Sequence, residues 1–163
     1  MNNKKGFTLI ELLVVIAIIG LLSTIAVVAL NGARMKARDA KRLGDVKQIQ
    51  TALELYYNEE NAYPLANAGM YIGMNTATGA CLGSAGFAAE GTCGSAFMSE
   101  VPSYPAPRTD GDCDDDLNTG YYYRSLTTET STYALRYCLG ADTGGVSAGE
   151  KVACELGVAG CPY

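Results

Sequence analysis

The chain has 163 residues, about one domain's worth, with 12 Lys plus Arg against 17 Asp plus Glu and a formal net charge of −5. That balance argues against a nucleic-acid binder held by phosphate contacts. There is no His, which excludes Ser-His-Asp and Cys-His catalysis and any His metal site. The averages conceal a polarity along the chain. Arg34, Lys36, Arg38, Lys41, Arg42 and Lys47 are half of the positive charge, and beyond Lys47 only four basic residues face fourteen acidic ones. All five Pro, fifteen of the nineteen Gly and all six Cys lie after residue 60.

From Phe7 to Leu30 the only charged residue is Glu11, and sixteen side chains are Leu, Ile, Val or Phe. At ~1.5 Å per residue a helix over this stretch is roughly 36 Å long, enough for a hydrocarbon core of about 30 Å. Sixteen such side chains favour insertion by roughly 5–10 kcal/mol, against ~3 kcal/mol for one acid at mid-helix. Insertion wins despite Glu11. A secretory signal peptide fits less well, because the apolar run is too long and no clear small-residue cleavage site follows it. A plain anchor explains the hydrophobicity but not the acid.

Met1-Asn2-Asn3-Lys4-Lys5-Gly6, followed by Phe7-Thr8-Leu9-Ile10-Glu11-Leu12-Leu13, resembles the prepilin leader of type IV pilins and type II secretion pseudopilins. The family pattern is a short basic leader, Gly before the cut, Phe after it and Glu at the fifth mature position. The resemblance is strong to about Pro64 and architectural beyond it. It implies cleavage between Gly6 and Phe7 by a prepilin peptidase on the cytoplasmic side, then methylation of the new amino group of Phe7. A Gly suits the cut, since a backbone without Cβ enters a membrane protease closely. It also implies that Glu11 pairs with the Phe7 ammonium of a neighbouring subunit. A carboxylate in hydrocarbon needs a partner or it protonates, and such a pair acts as a register device. Many relatives carry Pro where this chain has Val28, so Gly20 and Asn31-Gly32 are the places where the helix would loosen.

No Pro precedes Pro64, and Leu43, Val46, Ile49, Leu53 and Tyr56 recur at helical spacing. The expected helix runs from about Thr8 to Glu60, with residues 7–30 as membrane span and fibre core and 31–60 amphipathic. The basic cluster has two readings: against anionic headgroups or acidic neighbouring subunits, or a solvated face with Asp45 near Lys41 or Arg42. Its position also conflicts with the positive-inside bias, which the leader and the cysteines outweigh.

Asn61-Ala62-Tyr63-Pro64 ends the helix. Residues 65–100 read as a long loop with one or two short helical turns. Tyr121–Leu126 and Thr132–Leu139 read as strands joined by the polar residues 127–131, with Tyr133, Leu135, Tyr137 and Leu139 on one face and Arg136 and Cys138 on the other. Lys151–Leu156 is a third candidate strand. The expected architecture is α+β: a leader (1–6), a long helix (7–60) and an extracytoplasmic globular region (61–163). The resemblance implies a pilin-like ladle shape, the helix packed on a small antiparallel sheet.

Cys81, Cys93, Cys113, Cys138, Cys154 and Cys161 form no C-x-x-C. An even count in an extracytoplasmic region favours disulfides over zinc or redox chemistry, with some free buried thiols as the alternative. The expected pairing is Cys81–Cys93, Cys113–Cys138 and Cys154–Cys161. Asp110, Asp112 and Asp114 lie in the densest acidic stretch. Alternating carboxylates suit Ca²⁺, and some pseudopilins carry it near the sheet. The EF-hand pattern fails here, however, and a solvated acidic turn is the other reading. No other cofactor is implied.

The first functional reading is a type IV pilus subunit that polymerises with itself through Phe7–Leu30. Its partners would be a prepilin peptidase, the pilus assembly machinery, and the membrane before assembly. Its places would be the inner or cytoplasmic membrane as precursor, N-terminus inside, then a surface or extracellular fibre. The alternatives are the major pseudopilin of a type II secretion system, which stays periplasmic, or a minor pilin serving as a binding module. The acidic C-terminal region argues against direct nucleic-acid contact. Nothing resembles an enzyme's nucleophile–base pair or phosphate loop.

Overall fold

Thr8 opens the long helix α1 (Leu9–Glu60) of this computed structural model, and Asn61 closes it. Asn61 is in the left-handed region (φ 55°), and its N–H donates to the Tyr57 carbonyl at 2.8 Å, satisfying one of the last orphan acceptors. The structure describes residues 6–73, 78–106, 113, 120–126 and 129–154, with backbone alone at 126 and 129–131. The chain divides into two compact units, residues 1–35 and 36–163.

In the first unit the helix passes through Gly20, Val28 and Gly32 without a break. Its two hydroxyls bond back to the helix: Ser23 donates to the Ile19 carbonyl and Thr24 to that of Leu21. This leaves no bare hydroxyl on an apolar rod. Every described residue of this unit from Gly6 to Arg34 is exposed.

In the second unit the apolar spacing becomes one-sided burial. Val46, Ile49, Ala52, Leu53 and Tyr56 are buried, and the helical period brings them to one stripe. They pack on an antiparallel sheet ordered β1 (Met70–Ile72), β5 (Tyr121–Leu126), β6 (Glu129–Leu139) and β7 (Gly149–Ala153). Tyr133, Leu135, Tyr137 and Leu139 of β6 enter the core together, as a two-residue period requires. Arg136 lies on the opposite face, where its guanidinium donates to Glu150 (2.6 Å) and sits over the Tyr122 ring.

Three expectations are corrected. Residues 65–100 are not a loop with helical turns. They supply β1 and a second antiparallel sheet ordered β3 (Gly86–Ala88), β2 (Cys81–Gly83) and β4 (Ala96–Met98). Three-residue strands rich in Gly and Ala have too little alternation to be read from sequence. The strand expected from Thr132 begins at Glu129, so the polar connection is shorter than residues 127–131. The third candidate strand runs Gly149–Ala153, ahead of Lys151–Leu156.

The chain leaving β1 runs close against the segment that follows β4. Gly73 has φ +72°, and a Cβ there would run into the backbone oxygen of Pro102. Gly73→Ala combines a left-handed backbone with a clash that no rotamer relieves. Its expected cost is roughly 2–4 kcal/mol of unfolding free energy. Chemical denaturation of the detergent-solubilised chain checks this, and a loss below 1 kcal/mol would contradict the close approach.

Candidate functional site

Gly6, Phe7 and Glu11, the residues singled out for processing and assembly, lie together at the start of α1. Gly6 and Phe7 are extended and exposed, with Phe7 at 91%. Thr8 and Glu11 make a reciprocal cap. The Glu11 carboxylate accepts from the Thr8 backbone N–H and from its hydroxyl, both at 2.7 Å, and the Thr8 Oγ1 accepts from the Glu11 N–H at 3.3 Å. This satisfies backbone donors that a helix start leaves unpaired, and it places a negative charge at the positive end of the macrodipole. The signal was in the sequence as Thr-x-x-Glu before an apolar run, and sequence reasoning gave Glu11 only a role between subunits. Within one chain, its first role is to start the helix.

The side chains that follow have no partner within this unit. Leu9 (82% exposed), Ile10, Leu12, Ile16, Leu21, Ile25 and Val28 (74%) all face outward. α1 is long and apolar enough to cross a membrane, and none of its most apolar window is buried. A contiguous apolar surface of this size is stable only in lipid or against other protein.

The basic segment of α1 proves to be two populations. Arg42 is fully buried, donating to Asp39 at 2.6 Å and lying 4.6 Å over the Tyr104 ring. Asp39 also accepts the N–H groups of Gly140 (3.0 Å) and Ala141 (2.9 Å), pinning the chain as it leaves β6. Asp45, which one of the two readings placed near Lys41 or Arg42, feels the charge of Lys41 but bonds to the sheet. It accepts the Tyr121 hydroxyl at 2.7 Å. Burial pushes its carboxyl above the usual range, while that hydrogen bond and the nearby charge of Lys41 pull it down. Lys36, Lys41 and Lys47 remain exposed. The Asp39 clamp was not legible, because the Gly140–Ala141 backbone it holds lies about a hundred residues away.

Cystines join Cys81 to Cys93, beside β2, and Cys113 to Cys138, behind β6. Cys154 is buried, and Cys161, its expected partner, lies outside the described residues. Asp110, Asp112 and Asp114 also lie outside them. Among the described residues no group of three acidic or thiol side chains could hold a metal ion.

Comparison with known proteins points to the same N-terminal segment. Residues 1–27 match the family described as the prokaryotic N-terminal methylation motif. Its N-terminal segment thus carries this methylation motif, and about half of the chain is similar to proteins of bacterial secretion systems. Three similar relatives are each named type II secretion system core protein G. That of Escherichia coli is 38% identical over 69 residues, 42% of this chain and 48% of the relative. That of Aeromonas hydrophila is 36% identical over 79 residues, 48% of this chain and 55% of the relative. That of Pseudomonas aeruginosa is 34% identical over 78 residues, with the same coverage. The chain spans about half the length of the curated relatives it matches. No solved structure matches it.

Proposed function

We propose that this chain is a structural subunit, not an enzyme, and that it polymerises through its apolar helix into a helical fibre. A prepilin peptidase removes residues 1–6 and methylates Phe7, and the rods then leave lipid by packing on one another. The observation that carries this is the exposed apolar surface from Phe7 to Leu30, directly behind a methylation motif. Lipid satisfies that surface in the precursor, and other copies satisfy it in the fibre. Copies related head to tail build an open filament. The relatives' name supports the pseudopilin form of this reading, a short periplasmic fibre working with a secretion machinery, over the surface pilus that sequence alone favoured.

Glu11 then has two successive partners. It caps its own helix in the precursor, and after cleavage its carboxylate faces the new Phe7 ammonium of a neighbour. Glu11→Gln keeps an acceptor for the cap and loses the charge, whereas Glu11→Ala loses both. Both variants are expected to be cleaved normally and to lower fibre yield at least about tenfold, as loss of a buried charge pair implies. Gly6→Ile should leave residues 1–6 attached. Mass spectrometry of the N-terminus and filament yield from sheared cells check all three. Normal fibres from Glu11→Gln would remove the pairing role. Deletion separates the two forms of the reading: loss of exoprotein secretion marks a pseudopilin, and loss of long surface fibres marks a pilus.

A further inference from the structure

From Leu12 to Leu30 the chain carries no charge, and these 19 residues rise about 28 Å as a helix, against a hydrocarbon core of about 30 Å. With Glu11 at one face of the bilayer, Leu30 reaches the other. The next charge is Arg34, exposed and four residues further on. That is about 6 Å along the helix, inside a headgroup layer of roughly 5–8 Å. Lys36, also exposed, follows two residues later in the chain. Among the described residues neither Arg34 nor Lys36 has a hydrogen-bond or ion-pair partner.

The fold removes the acids that would neutralise these cations. Asp39 and Asp45 are the only acids between Glu11 and Glu54. Both are buried, Asp39 on Arg42 and the Gly140 and Ala141 N–H groups, Asp45 under the Tyr121 hydroxyl. Every exposed charge between Glu11 and Glu54 is therefore positive. That charge follows the apolar span on the side away from the leader, where the positive-inside bias disfavours it. Phosphate oxygens are the countercharge a bilayer supplies at that depth. We infer that Arg34 and Lys36 bind anionic phospholipids of the leaflet opposite the leader, each holding its own phosphate, while Lys41 adds to the attraction from further along the chain. Lipid is favoured over a soluble anion because the apolar span delivers both cations to the depth of the headgroups and keeps them there. The inference rests on the membrane stage of the proposed function and adds a lipid partner to it. A rod that leaves the bilayer has to release these headgroups along with the acyl chains.

The test reconstitutes the full chain in phosphatidylcholine vesicles. These carry a trace of phosphatidylglycerol or of phosphatidylcholine with a photoactivatable diazirine in the headgroup, and adducts are mapped by mass spectrometry. Adducts between Arg34 and Lys41 are expected at least about fivefold more often from the phosphatidylglycerol probe. Arg34→Gln with Lys36→Gln should bring that ratio below about twofold. Ala37→Glu with Ala40→Glu keeps both cations and returns acids to exposed positions beside them, and it should lower the ratio as well. All four positions are exposed, so these variants should melt as wild type does. Wild type itself should lose selectivity at about 1 M salt, where screening acts within about 3 Å. Lys4→Gln with Lys5→Gln should leave the ratio at Arg34–Lys41 unchanged. Equal yields from the two probes overturn the inference, as does a ratio that survives high salt or the loss of Arg34 and Lys36. Displacement by inorganic phosphate at matched ionic strength overturns lipid as the source. A chain that does not float with the vesicles overturns the membrane reading itself, whereas one that floats without selectivity overturns only this inference.

Discussion

Replacing Asp39 by Ala is expected to destabilise the second unit by about 3–5 kcal/mol, the range for breaking a buried ion pair from one side. The Arg42 guanidinium, 0% exposed over the Tyr104 ring, would lose the Asp39 carboxylate. The N–H groups of Gly140 and Ala141 would lose their acceptor in the same step. For a domain of this size the melting temperature should fall by roughly 10–20 °C. Asp39→Asn keeps one acceptor oxygen and should cost less. Adding Arg42→Met to Asp39→Ala should recover part of the loss, since the charge no longer needs a partner. Thermal unfolding of the detergent-solubilised chain, followed by tyrosine circular dichroism, measures all of these. A loss under 1 kcal/mol from Asp39→Ala would mean that the clamp does not hold the chain after β6.

The second large effect is alkaline unfolding. Tyr121, Tyr123 and Tyr137 are fully buried beneath α1. Burial raises all three, carrying Tyr137 to about 12, and the Asp45 charge raises Tyr121 further. An unfolded tyrosine loses its proton near 10. Above that pH the unfolded chain sheds protons that the fold retains, so stability is full below about pH 10 and falls as pH rises toward the folded values. Each tyrosine contributes a slope of about 1.4 kcal/mol per pH unit, and the three together about 4 kcal/mol. Unfolding should therefore be cooperative, and the tyrosinate absorbance of these three, out of eleven tyrosines, should appear together with loss of the fold. Three tyrosines titrating independently near pH 10 in the intact fold would show that they are not sealed from water. Tyr121→Phe should flatten the slope by about a third.

Both effects come from residues that sequence patterning could place but not connect. The α+β class, the helix from its Thr8 start to its Asn61 stop, the alternating face of β6 and the apolar rod with Glu11 near its start could all be read from the chain. Each is a local regularity: a helical or two-residue period, a cap, or a run long enough to span lipid. Gly6 and Phe7 were singled out for a different reason, because a methylation motif is read as sequence and needs no fold around it. The strands between Met70 and Met98 escaped, since three-residue elements of Gly, Ala and Cys carry no period and exist only because neighbours complete their hydrogen bonds.

Charge shows the division most clearly. The sequence determined that Arg34 to Lys47 is basic and that the helix ends on glutamates. Only the tertiary structure decided which of those charges face solvent. It drew Asp39, Arg42 and Asp45 inside, onto Gly140, Ala141, Tyr104 and Tyr121, and left three lysines and three glutamates outside as separate bands. The physical reason is that a buried charge is held by partners far away in the chain, which no local pattern encodes, whereas the helical period that places it on a given face is written in the residues themselves.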